Sequence, residues 1–119
     1  MRIGCVDFVS NTFFPVTAAE ELGFFAAEGV DAHVELLRTL VAFPDLRDGK
    51  VELLAAPAHS VLRAFPGWKG AKLIVALAQG TPWVVVLRSG LAGERGDVSA
   101  LNGLRIAAAA GPNLGFRQF

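Results

Sequence analysis

A single cysteine, Cys5, in 119 residues leaves no partner for an internal disulfide and no thiol set for a zinc cluster. His33 and His59, the only histidines, cannot build a metal site by themselves, so neither a metal nor a cofactor is expected. Charge of one sign is missing too, since 11 Lys and Arg balance 11 Asp and Glu. A chain with no net field has nothing to draw it to nucleic acid or to an anionic membrane surface, and nucleic acid is excluded as a partner. Long apolar runs are absent: the least charged stretch, 73–87, is broken by Gln79, Gly80 and Pro82 and falls short of the roughly 20 residues that cross a bilayer. The opening Met1-Arg2-Ile3-Gly4-Cys5-Val6-Asp7 lacks the apolar core of a secretory leader. The expectation is a cytoplasmic chain, or a periplasmic or membrane-associated extracytoplasmic one whose leader has been removed. There is also no Gly-rich phosphate loop and no Ser/His/Asp set. The adjacent Glu20 and Glu21 point apart on a helix, so no catalytic residue is expected.

What is present is a core. Hydrophobic residues make up 53% and charged residues 18%, the opposite of a disordered composition, and the length suits one small domain. Scattered Gly and Pro predict short elements separated by tight turns. Residues 3–9 read as a strand running into Ser10-Asn11-Thr12, a cluster of capping residue types. A helix opened by Pro15 ends near Gly23, and Phe24-Phe25 begins one more turn. Strand two is expected at 32–37, a helix at 40–47 despite Pro44, a strand at 51–55 and a helix at 61–65. The uninterrupted apolar run 73–77 reads as a strand covered on both faces, 83–87 as extended, 98–101 as a helical turn and 104–110 as another buried strand. This alternation predicts an α/β fold: a mainly parallel open sheet with helices on both faces.

In such sheets ligands bind beyond the carboxyl ends of the strands. Asn11 and Thr12 follow strand one, His59 follows strand three and Gln79 follows strand four. Asn11 and Thr12 either bind a ligand through side chains and helix-start N–H groups or cap the helix. His59 either donates to a carboxylate or sulfonate or is a solvated helix-start residue. Gln79 offers a donor and an acceptor, or is a turn residue. Among Phe13, Phe14, Trp68 and Trp83, Phe13 is the candidate for stacking on a ligand, core filling being the alternative. Asn113, in Gly111-Pro112-Asn113, is a further contact candidate. Phe24, Phe25, Leu73, Val75 and Leu77 are expected in the core, Cys5 as a small buried hydrophobe, and His33 at the surface.

The string Ala19-Glu20-Glu21-Leu22-Gly23-Phe24-Phe25-Ala26-Ala27-Glu28-Gly29-Val30-Asp31 resembles the A-x-E-x-G-F-F-x-x-E-G-L-D-V segment of ABC-transporter solute-binding proteins of the sulfonate, nitrate and thiamine-precursor type. Leu46-Arg47-Asp48-Gly49-Lys50-Val51-Glu52 is similar to that family's L-x-x-G-x-V-D, with Glu52 for the usual Asp. Leu101-Asn102-Gly103-Leu104-Arg105-Ile106 is similar to its L-K-G-K-R-I-G, with Ala107 where Gly is common. The resemblance implies the first lobe of a type II periplasmic-binding fold over residues 1–90, a crossover loop over 91–103, and the start of an incomplete second lobe over 104–119. It further implies a small-molecule ligand, a small anion or a heteroaromatic, held in a cleft between two lobes and passed to an ABC permease.

Two other functions stay open: a cytoplasmic enzyme on the same fold, of the biosynthetic dehydratase or desulfinase kind, and a single-lobe fragment without activity. Because 104–110 is an apolar strand with no second sheet to enter, self-association through Leu104, Ile106 and their neighbours is expected.

Overall fold

The computed structural model describes residues 1–80, 84–91, 93, 94 and 96–108, with Trp68 through its backbone only. The chain divides into two compact units, Met1–Gln79 and Gly80–Phe119. In the first unit the order is β1 (Arg2–Cys5), α1 (Phe14–Glu21), α2 (Phe24–Ala27), β2 (His33–Leu36), α3 (Thr39–Arg47), β3 (Leu53–Ala55) and α4 (Ala58–Ala64), followed by a 3-10 turn at Pro66–Trp68. The second contains a 3-10 turn at Val98–Leu101.

The three strands form one parallel sheet in the order β2-β1-β3. Ile3 lies beside Val34 on one side and Leu53 on the other, and Cys5 beside Leu36 and Ala55. Backbone bonds extend the pairing past the strand ends. His33 N–H donates to the Met1 carbonyl at 2.9 Å, Leu37 N–H to Cys5 at 2.8 Å and Glu52 N–H to Arg2 at 3.0 Å. The central strand needs both faces dry, which Ile-Gly-Cys supplies. Gly4 leaves room for two leucines: a Cβ there would lie 2.5 Å from Leu37 Cδ1 and 3.1 Å from Leu54 Cδ1, so these side-chain ends would have to shift.

Alternation then divides the core into two layers. Ile3, Cys5, Val34 and Ala55 point to one face and meet Phe13 and Val16, with Leu53, Phe25 and Leu77 packed alongside. Leu54 and Ala56 point to the other face, against Phe43 of α3, Val61 of α4 and Phe65. Helices therefore cover both faces of the sheet. Gly23, at φ 73°, turns the chain from α1 into α2 in a left-handed conformation that a side chain would strain. Arg47 joins α3 to the end of α4, donating to the Ala64 carbonyl at 2.6 Å with its guanidinium 5.3 Å from the Phe65 ring centre.

Several expectations fail. The expected strands at 73–77 and 104–108 are absent among the described residues, and Leu73 and Val75 are more than half exposed; 84–87, expected only to be extended, pairs with no strand there, and Val84 and Val86 are more than half exposed. Extended apolar sequence becomes a strand only with a partner ladder, and among the described residues the sheet stops at β3. Phe24, expected in the core, is 59% exposed, whereas Phe25 and Leu77 do pack on the first cluster. Residues 109 and 110 lie outside the described residues. The other expected elements form within a few residues of their predicted limits, including the helical turn at Val98–Leu101. No helix among the described residues is long and apolar enough to cross a membrane.

Candidate functional site

With β1 in the centre, the chain passes from β1 outward to β2 and then across to β3 on the opposite side. The connections after β1 and β3 diverge at that point, the place where open α/β sheets take ligands. The two strands leave the sheet side by side, with Val6 N–H donating to the Ala55 carbonyl at 3.3 Å. Asn11 and Thr12 follow from β1, and His59 lies in the first turn of α4 after β3. These three are the predicted residues that the sheet order brings to one edge.

The loop after β1 is organised by its own side chains. The Asp7 carboxylate accepts from Val9 N–H at 2.7 Å and from Ser10 N–H at 3.3 Å. Ser10 Oγ accepts from Thr12 N–H at 3.2 Å, and the Ser10 carbonyl accepts from Phe13 N–H at 3.1 Å. Four amides of the loop leading into α1, those of Val9, Ser10, Thr12 and Phe13, are therefore already engaged. Neither Asn11 nor Thr12 caps α1. The N-cap position is Phe13, and no side chain bonds there. Asn11 is exposed and Thr12 and His59 are half-buried. The Thr12 N–H is taken by Ser10.

Phe13, the stacking candidate, is only 6% exposed and belongs to the first core cluster. Its ring is covered by Ile3, Cys5, Val16 and their neighbours, which fits the core-filling alternative. Gln79 is exposed, and because 73–77 forms no strand it does not stand at a strand's carboxyl end. Asn113, Trp83 and the expected turn at 111–113 lie outside the described residues.

Cys5 is fully buried in β1, its Sγ donating to the Asp7 carbonyl at 3.2 Å. Burial pushes its thiol up from the ordinary value, which disfavours the reactive thiolate. Among the described residues no group of three or more His, Cys, Asp or Glu side chains could hold a metal.

Sequence reasoning missed Glu20. One oxygen of its carboxylate accepts both from Val34 N–H and from His33 Nδ1, each at 2.9 Å, tying α1 to the outer edge of β2. This carboxylate stands between two open hollows. The first, of about 350 Å³, is floored by Phe25, Ala26 and Val30; the second, of about 290 Å³, lies between Phe8, Thr17, Glu21 and His33. Neither is lined by Asn11, Thr12 or His59. No local pattern marks Glu20, because its partner amide lies 14 residues further along the chain.

A scan against family models, a search of curated proteins and a search of solved structures each returned no match.

Proposed function

We propose that residues 1–79 are the first lobe of a solute-binding protein of an ABC-type uptake system, which holds a small ligand at the edge formed by Asn11, Thr12 and His59. The observation that carries this reading is the strand order β2-β1-β3, because it sets the connections after β1 and β3 together at the switch point. In this reading an ABC permease is the partner that receives the ligand.

The site chemistry narrows the ligand. With the amides of Val9, Ser10, Thr12 and Phe13 engaged and the Asp7 carboxylate inside the same loop, a small anion meets few donors and one negative charge. A flat heteroaromatic with its own donors matches the Asn11 amide, the Thr12 hydroxyl and the His59 imidazole better.

Amide NMR of the 119-residue chain, titrated to millimolar with nitrate, a sulfonate, a pyrimidine and an aromatic carboxylate, tests this. A single lobe binds weakly, and NMR reads weak binding. Shifts from the pyrimidine confined to residues 6–13 and 56–60 are expected. Shifts elsewhere, or none with any of the four, contradict the assignment.

A further inference from the structure

The two outer edges of the sheet are treated differently. On β2, the Glu20 carboxylate occupies the amide of Val34 and closes the edge to another strand. Outside β3, no strand pairs among the described residues. Residues 71–79 of the same unit exchange no backbone hydrogen bond with any described residue, yet they are tethered at two points. Ala71 packs on the second core cluster and Leu77 on the first, so the segment passes from one face of the sheet to the other. Between these tethers Leu73, Ile74 and Val75 are 54%, 70% and 71% exposed.

Topology says which edge such a segment suits. Through Phe43, α3 carries the chain from β2 to β3 over the face of the second cluster, and α4 lies on that same face through Val61. Right-handed crossovers over one face of a parallel sheet step in one direction, so a parallel strand that follows α4 belongs outside β3 of its own chain. Register follows from side-chain chemistry. Leu73-Ile74-Val75-Ala76 beside Leu53-Leu54-Ala55-Ala56 matches apolar to apolar and puts Leu73 and Val75 on the face of the first cluster, where Leu77 already packs. Ile74 and Ala76 then join Leu54 and Ala56 over the second. A slip of one residue reverses every side chain. A slip of two sets Ile74 beside the Glu52 carboxylate, which bonds the Arg2 N–H, or sets Val75 beside Pro57, which has no N–H for the ladder.

We propose that residues 73–77 are a strap that closes on the outer edge of β3 of their own chain as a fourth parallel strand, and that closing sets Gln79 level with His59. The open form is the resting one, because closing must order an exposed segment for a single ladder. A closed form filled to about 0.1–10% leaves the amides of 73–77 exchanging almost freely at rest. The consequence for binding rests on the ligand edge proposed above: in the closed form Gln79 adds an amide, donor and acceptor together, beside the His59 imidazole.

Ala56→Cys with Ala76→Cys, two small residues on one face in that register, traps the closed strap. Mild oxidation in dilute solution should give an internal disulfide in a monomer. Ala56→Cys with Val75→Cys, on opposite faces, should close more than about tenfold more slowly. Both chains share Ala56→Cys, so any cost of that change is common to the two, and Cys5 is buried away from exchange. In the trapped chain alternate amides of 73–77 should exchange slowly, and the pyrimidine should bind several-fold more tightly, a gain that Gln79→Ala removes. Equal closing rates for the two pairs, or disulfides between chains in place of the internal one, would overturn the strap and leave the ligand edge standing. A trapped chain with slow alternate amides and unchanged affinity would overturn the part given to Gln79. A pyrimidine that shifts neither 6–13 nor 56–60, in the open or the trapped chain, would overturn the ligand edge and that part together, the strap being decided by the disulfides alone.

Discussion

Leu53-Leu54-Ala55 and Leu73-Ile74-Val75 are both uninterrupted apolar runs that follow a turn, and the second is richer in β-branched residues. By local preference the second is the better strand. The structure orders them the other way: the first is β3, half-buried at Leu53 and Leu54 and buried at Ala55, and the second is exposed with no ladder among the described residues. The difference lies in what each segment meets. The first enters beside β1 through the Glu52 N–H bond to Arg2, with Leu53 and Leu54 passing to opposite apolar clusters. The second meets only the fringes of those clusters, through Ala71 and Leu77. A strand is made by its neighbours, and β-propensity alone did not separate the two.

The largest effect that would break this comparison is in the core. Phe65→Ala and Ile3→Ala should each cost about 2–5 kcal/mol through lost burial plus a cavity, while Ile74→Ala and Val84→Ala in dilute solution should stay within about 0.5 kcal/mol. Denaturant melts of the four variants check it, and equal costs would mean that both regions are packed alike. Next comes Gly4→Ala, which drives a methyl group against Leu37 and Leu54. About 1–3 kcal/mol of destabilisation is expected, and a neutral result in the same melts would place β1 elsewhere.

A smaller effect sharpens the contrast between the two sheet edges. Glu20→Ala leaves the Val34 amide without its acceptor and should cost about 1–2 kcal/mol, with Glu20→Gln recovering most of it by thermal melting. The smallest effect concerns acid. The Arg2 N–H, 2.6 Å from Glu52 Oε2, holds that carboxyl below its ordinary value of 4.5. A carboxyl lowered by folding contributes stability that is complete above its unfolded pKa and is lost as pH falls through the lower folded value. The wild-type chain should therefore lose slightly more stability than Glu52→Gln between pH 4.5 and the folded value, read from melting temperatures across that range.

How much of this was legible in the sequence follows the same division. The parallel α/β character and seven short elements of the first unit were readable because apolar periodicity, Pro15, Gly23 and the Asp48-Gly49 turn all mark local structure. Burial of Cys5 and exposure of His33 followed from the same pattern. The failures depend on distant contacts. Phe13 looked like a loop residue free to stack, but Val16 and Ile3 enclose it. Residues 73–77 had the composition of a buried strand but pair with no neighbour among the described residues. Gln79 lost its place at the sheet edge with them. The position of Asn11 and Thr12 after β1, and of His59 after β3, was legible because strand ends are. The Asp7 carboxylate and the Glu20 clamp were not found, since each depends on which amide a folded chain brings within 3 Å.

Native-state hydrogen exchange, followed by amide NMR on a dilute monomeric sample, tests most directly the claim that the ordered sheet stops at β3. The account predicts the slowest exchange at Val6, His33, Val34, Leu37 and Glu52, whose amides bond across the sheet or to Glu20, with residues 73–77 and 84–87 exchanging at rates close to those of an unfolded chain. Slow amides throughout 73–77 and 84–87 in that dilute sample would contradict it, because the single chain would then hold a larger sheet than β2-β1-β3.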